Sequence, residues 1–277
     1  MMNNIYGVKM DEKLNIKLDD EEKEKLKYFV KIGIVVLSIL VLISLGIKYI
    51  PKVVTVTNSS SSRKLPIYCV DEDENKVALS FDAAWGNEDT AEILEILAKY
   101  DIKVTFFMTG GWVEKFPEDV KAIAAAGHDL GNHSENHRHM SQISKEKSME
   151  EIMLVHNKVK ELTGIEMNLF RPPYGDYNNT LIDATNEAGY HCIQWDVDSL
   201  DWKDYGVDSI INSVVNNKHL GNGSIILCHN GAKYIKDALE PMIIGLLDKG
   251  YKIVPISELI YTGEYYMDHE GRQFEKK

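Results

Sequence analysis

The chain is poor in cysteine, in positive charge and in long apolar runs. Three cysteines, Cys69, Cys192 and Cys228, stand in 277 residues. They are too few and too unevenly placed for a disulfide framework, and they lack the paired spacing of a zinc finger. Cys192 and Cys228 fall in apolar runs and read as buried thiols. The formal net charge is -12, which argues against a nucleic-acid partner, because phosphate binding needs a basic patch. No internal repeat is present. No glycine-rich phosphate turn follows the first strand-like run, so a dinucleotide fold has no support. With 44% hydrophobic and 27% charged residues, the composition is that of globular rather than disordered material.

The one long apolar run is "FVKIGIVVLSILVLISLGIKYI", 29–50. Its two lysines, Lys31 and Lys48, sit near the ends, where they can snorkel. The stretch between them is about 16 residues and reaches roughly 20 with its flanks, enough for one tilted spanning helix. A cleaved signal peptide is the competing reading. A mixed-charge segment precedes the run and no small-x-small site follows it, which favours an uncleaved anchor. Lys17, Lys23, Lys25, Lys27 and Lys31 crowd the N-terminal side, so the positive-inside bias predicts a cytoplasmic N-terminus. The expected organisation is a cytoplasmic segment (1–28), a transmembrane signal anchor (29–50), a Ser-rich linker (51–64), an extracytoplasmic domain (65–262) and a polar tail (263–277).

Within the outer domain, short β-rich runs alternate with amphipathic ones. The expected strands are 77–81, 104–109, 128–133, 169–173, 191–197, 224–229 and 251–256. Helical periodicity places Ile93, Ile96, Leu97 and Tyr100 on one face, and Ile152, Val155, Val159 and Leu162 on another. Gly127, Gly164, Gly189 and Gly250 close such segments. This alternation predicts α/β architecture with parallel strands and crossover helices, as a closed or nearly closed barrel.

The polar residues then fall into a pattern. Asp82 follows the first strand and His133 and His137 the third. Arg171 follows the fourth, Asp196, Asp198 and Asp201 the fifth, and His229 ends the sixth. In a β/α barrel these strand ends share the face that carries chemistry. In "GNHSENH", two histidines four apart would project from one side of a helical turn and could bind one metal. Two surface histidines are the plainer alternative. In "FRPPYGDYN", prolines stiffen a loop that could hold the Arg171 guanidinium against a carboxylate and aim backbone N–H groups at an oxyanion. In "QWDVDSLDWKDYG", Trp195 and Trp202 could stack on sugar faces or sit in the core. Asp198 or Asp201 could orient a histidine acid. His229, delivered by an apolar strand, is a candidate proton donor. His139 reads as exposed or packing.

At these residues the chain resembles the polysaccharide deacetylase family, the carbohydrate esterase 4 group with the NodB homology domain. The resemblance covers about 77–260. Its "FDAAWGN" and membrane anchor are most similar to the sporulation-associated branch. The resemblance implies a distorted (β/α)7 barrel, TIM-barrel-like and here preceded by one transmembrane helix. It also implies a divalent metal, usually zinc, and hydrolysis of N-acetyl groups on amino sugars of peptidoglycan or a related glycan. It implies Asp82 as catalytic base, Arg171 as its positioner, His229 as acid and Asp201 as the residue that tunes it. His133 and His137 match metal ligands, the Tyr174 backbone N–H an oxyanion donor, and Leu227 the acetyl-pocket lining. Trp85 and Trp202 join Tyr174 as candidate stacking residues. One position departs from the family: Ala83 stands where a second aspartate usually supplies the third metal ligand. A methyl group cannot bind a metal, so a weaker site is expected. Three outcomes stay open: water replaces the ligand, Asp82 itself binds metal, or the domain binds glycan without hydrolysing it. A further alternative keeps the fold and hydrolyses another non-peptide amide C–N bond.

Overall fold

The computed structural model describes residues 19–49 and 63–276. The chain divides into two units, Met1–Ser61 and Ser62–Lys277. In the first, one helix runs over Asp20–Tyr49. Its apolar side chains between Phe29 and Leu37 are exposed. Among the described residues no helix is long and apolar enough to cross a membrane. The span expected over 29–50 is helical to Tyr49, but its side chains from residue 39 onward lie outside the described residues. So do residues 1–18 and the expected linker apart from Arg63 and Lys64.

Among the described residues, the second unit holds eleven strands: β1 (Cys69–Val70), β2 (Lys76–Ala83), β3 (Thr105–Met108), β4 (Asp129–Asn132), β5 (Leu169–Phe170), β6 (His191–Cys192), β7 (Val197–Asp198), β8 (Ile225–Asn230), β9 (Lys252–Val254), β10 (Tyr265–Met267) and β11 (Arg272–Glu275). The main sheet has the order β6-β5-β4-β3-β2-β8-β7, with β9 beside the first half of β2. All of its pairings are parallel. The result is an α/β half-barrel. Its strands are apolar on both faces because helices cover the outside and side chains fill the inside.

The run 191–197, expected as one strand, is two. β6 pairs with β5 at one edge of the sheet, and β7 pairs with β8 at the other. The chain between them crosses the gap, so one sequence segment serves both edges. The segment from Ile67 to Val70, which the sequence reading did not include, runs along the rest of the seam through isolated bridges. The Ile67 N–H donates to the Cys192 carbonyl, Gln194 donates back to Ile67, and Val70 donates to Gly223. These bonds satisfy sheet edges that would otherwise be open.

Two of the expected helices show why the periodicity held. Thr90–Lys99 buries Ile93 and Leu97, with Ile96 and Tyr100 packed beside them. Lys145–Thr163 buries Ile152, Val155 and Val159. Ser144 caps it by accepting from Lys147 N at 3.3 Å, and Gly164 ends it at φ 76°, a left-handed turn that glycine takes without steric cost.

The expected polar tail, 263–277, folds. β10 and β11 make a hairpin, and β11 runs parallel to β1 in a separate three-stranded sheet. Gln273 is fully buried there. Its amide accepts from Tyr261 N at 2.9 Å and donates to Tyr261 O at 2.7 Å. Its polarity is thus satisfied inside, which composition alone could not reveal.

Candidate active site

The parallel register of β2 and β8 sets Asp82 directly beside His229. These two residues, with Ala84, Trp85, His133, His137, Tyr174, Trp195, Asp198, Trp202 and Leu227, line a cavity of about 430 Å³ at the C-terminal ends of the strands. The sequence-derived candidates therefore meet in one place. Arg171 and Asp201 stand behind the lining, each buried completely and each paired with a lining residue.

One pair is Asp82 with Arg171. The guanidinium donates from Nη1 to Asp82 Oδ1 at 2.8 Å and from Nη2 to Ser80 Oγ at 2.8 Å and the Gln194 carbonyl at 3.3 Å. The Ser80 hydroxyl in turn donates to the Ile226 carbonyl at 2.7 Å. The Phe107 ring supports the guanidinium at 4.2 Å from its centroid. That ring needs the glycine at 131: a Cβ there would lie 2.5 Å from a Phe107 ring carbon. Burial would raise the Asp82 carboxyl, but His133, Arg171 and His229 together hold it below its ordinary value. Asp82 is thus kept ionised, as a base must be. Arg171 is pulled downward by burial and supported by Asp82.

The other pair is His229 with Asp201. Asp201 Oδ1 lies 2.7 Å from His229 Nδ1, and its Oδ2 accepts the His229 backbone N–H at 2.7 Å. Burial works against the imidazolium, but Asp201, Asp82 and Asp198 outweigh it and raise the His229 value. Trp85 stacks on the ring at 5.1 Å and 26°.

The histidine wall is built differently. His133 Nδ1 lies 2.7 Å from the Arg171 carbonyl. That contact makes Nδ1 the protonated nitrogen and leaves Nε2 as a lone pair, 3.5 Å from Asp82 Oδ2, the tautomer of a metal ligand. The His133 and His137 rings are 5.0 Å apart. They are not on a helical turn, contrary to expectation. Ser134 (φ 64°) and His137 (φ 51°) are both left-handed, and the loop between them folds the two rings together. Burial and the neighbouring His133 push His137 down to about 4; burial lowers His133 as well.

The test for a metal is the donor set. Ala83 is fully buried in the apolar core beside Phe81 and does not line the cavity. Among the described residues, no group of three His, Cys, Asp or Glu is placed to hold a metal ion. A three-ligand zinc site does not fit, and the arrangement is one donor short.

Backbone strain concentrates here. Of the six non-glycine residues with positive φ among the described residues, five (Ser134, His137, Tyr174, Leu200 and Asp204) lie in the loops around the cavity. Each such residue costs on the order of 1–3 kcal/mol and persists only where the surroundings impose it. At Tyr174 (φ 61°, ψ 9°), the ring packs against His137 at 4.5 Å and stacks on His139 at 4.3 Å. His139 is thus a packing residue, as expected.

Several supporting residues escaped the sequence reading. Ser80 shares a β2 face with Asp82, and its two-residue spacing was the available signal. Glu151, fully buried on the long helix, accepts from Asn136 N and Nδ2 at 2.8 Å each and pairs with Arg138 Nε at 3.2 Å, clamping the histidine loop. Asp89 accepts the Gly231 N–H and Asn230 Nδ2, tying the loop after β2 to the loop after His229. Neither acid belongs to a motif. Asp196 is a correction. It does not join Asp198 and Asp201 but faces the start of β8, accepting from Ile225 N at 2.8 Å and Ser224 Oγ at 2.9 Å. Burial pushes it up to about 6.

Residues 70–193 match the polysaccharide deacetylase family. A peptidoglycan-N-acetylglucosamine deacetylase of Bacillus cereus is 36% identical over 196 residues, covering 69% of this chain and 91% of that protein. The YlxY protein of Bacillus subtilis is 33% identical over 195 residues; the match covers 70% of this chain and spans 60% of the relative's length. Among solved structures, a carbohydrate esterase 4 family pseudoenzyme of Bacillus anthracis superposes with a TM-score of 0.67 at 32% identity, covering 70% of this chain and 68% of that one. A mutant described as a pseudoenzyme of that family with restored enzymatic activity also gives 0.67, at 34% identity, covering 70% of each chain. The chain belongs to the polysaccharide deacetylase family, whose enzymes are metal-dependent hydrolases of carbon–nitrogen bonds other than peptide bonds.

Proposed function

We propose that this chain removes N-acetyl groups from amino sugars of peptidoglycan, in the cell wall or spore cortex. The observation that carries this reading is the two charge-paired groups set side by side at one cavity, Asp82 with Arg171 and His229 with Asp201. Asp82 takes a proton from water as its oxygen adds to the acetamide carbonyl carbon. The Tyr174 backbone N–H stabilises the oxyanion, and Leu227 receives the acetyl methyl. His229 delivers a proton to the departing nitrogen. The C–N bond breaks, giving acetate and a free amine. The two imidazoles of His133 and His137 fall one ligand short of a resident zinc site, and no step is assigned to a metal.

The cell-surface location is part of the proposal. The apolar run 29–50 and the lysine bias before it support a signal anchor with a cytoplasmic N-terminus.

A second reading is favoured by Ala83 and by the likeness to a pseudoenzyme: the same cavity binds glycan without hydrolysing it, using Trp85, Trp202 and Tyr174 as stacking surfaces. Acetate release separates the two. Full-length protein is incubated with peptidoglycan and with acetylated chito-oligomers, with and without added zinc. Hydrolysis predicts acetate from at least one substrate. Binding without any acetate overturns it in favour of the second reading.

A further inference from the structure

Asp198 is the carboxylate of this cavity that neither charge pair uses. It ends β7 beside Leu227, lines the cavity and is half-buried. Its Oδ1 accepts the Leu200 N–H at 2.8 Å. Among the described residues, no lysine, arginine or histidine nitrogen forms an ion pair with it. Arg171 directs its Nη hydrogen bonds to Asp82, Ser80 and the Gln194 carbonyl, and His229 faces Asp201.

The charges can be summed. Three carboxylates, Asp82, Asp198 and Asp201, stand against two cationic partners, Arg171 and His229, and both of those are engaged by Asp82 and Asp201. Among the described residues, no third His, Cys, Asp or Glu is placed with His133 and His137 to hold a divalent cation. The remaining walls are rings, namely Trp85, Trp195, Trp202 and Tyr174, whose negative faces attract cations. Lys203 already uses this attraction outside the lining, 4.9 Å above the Trp202 ring and 5.9 Å above Tyr205.

We propose that the cavity prefers amino sugars bearing a free ammonium group over their N-acetylated counterparts, with Asp198 as the carboxylate that meets the ammonium. The inference rests on reading the cavity as a glycan site and extends it to the ligand that stays bound. An acetamide brings no charge to offset Asp198, a half-buried carboxylate that makes no direct ion pair and shares the His229 charge with Asp201 and Asp82. An ammonium supplies the counter-charge and sits against aromatic faces. The deacetylated product is therefore held rather than released at once, and glucosamine oligomers compete with substrate.

The test is calorimetric titration of the full-length protein with the tetramer of glucosamine and with its N-acetylated counterpart. It is run near pH 6, where such an amine is protonated. The glucosamine tetramer is expected to bind about tenfold more tightly, a single charge-assisted contact's worth. The preference should shrink as salt is raised. Asp198→Asn keeps an acceptor for Leu200 N and removes the charge, so it should reduce the ratio of affinities by about tenfold. Equal or tighter binding of the acetylated tetramer overturns the proposal, as does a ratio that D198N leaves unchanged. If D198N does not fold, the salt titration of the wild type decides, and a ratio indifferent to salt overturns it. Acetate release on the same preparation separates the two readings. No acetate with the preference intact removes hydrolysis alone. Acetate release without the preference removes this inference alone.

Discussion

The two walls of the cavity differ in how completely they are built. On the acid–base side, each of the two proposed proton-transfer groups has a buried partner: Asp82 has Arg171, and His229 has Asp201. Arg171 is held in turn by Ser80, the Gln194 carbonyl and the Phe107 ring. On the histidine side, two imidazole rings lie 5.0 Å apart, but among the described residues no third donor is placed with them, and Ala83 is a core methyl group. Groups that move protons and groups that hold a metal are separable parts of this fold. On the proposed reading, the chain keeps the first set intact and the second one residue short.

The largest effect expected from this contrast falls on the intact wall. Asp82→Asn should lower acetate release by at least about a hundredfold, the usual scale of a general base; an unchanged rate would show that the water is activated elsewhere. Arg171→Met removes the counter-charge of a buried carboxylate and should cost about 3–5 kcal/mol, read from the urea midpoint. A loss below about 1 kcal/mol would mean that the pair is not isolated from solvent.

Glu151→Ala should then loosen the histidine loop. It strands the Asn136 N–H and leaves Arg138 without its carboxylate, at a cost of about 1–3 kcal/mol. Glu151→Gln should recover most of the loss, because its amide can serve both Asn136 groups after that side chain flips. Equal losses in both variants would make the carboxylate charge, rather than the hydrogen bonds, the clamp.

The smallest effect is a difference of sign with pH. Asp201 raises His229, so the native protein holds a proton that the unfolded chain gives up. Stability from this pair is complete below about pH 6.5 and is lost as the pH climbs through the raised folded value. Asp201→Asn should flatten that limb. His137, pushed down to about 4, works the other way. The unfolded chain takes its proton first, so stability falls as the pH drops from about 6.5 towards about 4. His137→Asn should remove a melting-temperature loss of a few degrees in that window. Two limbs of the same sign would contradict the assignment.

Much of this site was legible in the sequence because a parallel sheet gathers its strand ends. Asp82, His133, Arg171, Asp201 and His229 needed only the strand pattern to be grouped. What escaped was set by non-local pairing. The run 191–197 has one strand's composition, but Ile67, from a segment with no strong pattern, draws its first half to one sheet edge. The four-residue spacing of His133 and His137 suits a helix, yet two left-handed residues close the loop instead. Asp196 sits two residues from Asp198 and points to the other end of β8 because the chain there bridges two strands. The C-terminal hairpin is polar on paper, and only Gln273 pairing with Tyr261 shows why it packs.

The central claim is that the acid–base wall is a working hydrolytic device despite the missing metal donor. Its most direct test is acetate release from peptidoglycan by the wild-type chain and Asp82→Asn in parallel, counted per protein molecule. The account predicts many acetates per wild-type chain and at least about a hundredfold fewer for the variant. No acetate from the wild type, or equal release from both, would contradict it.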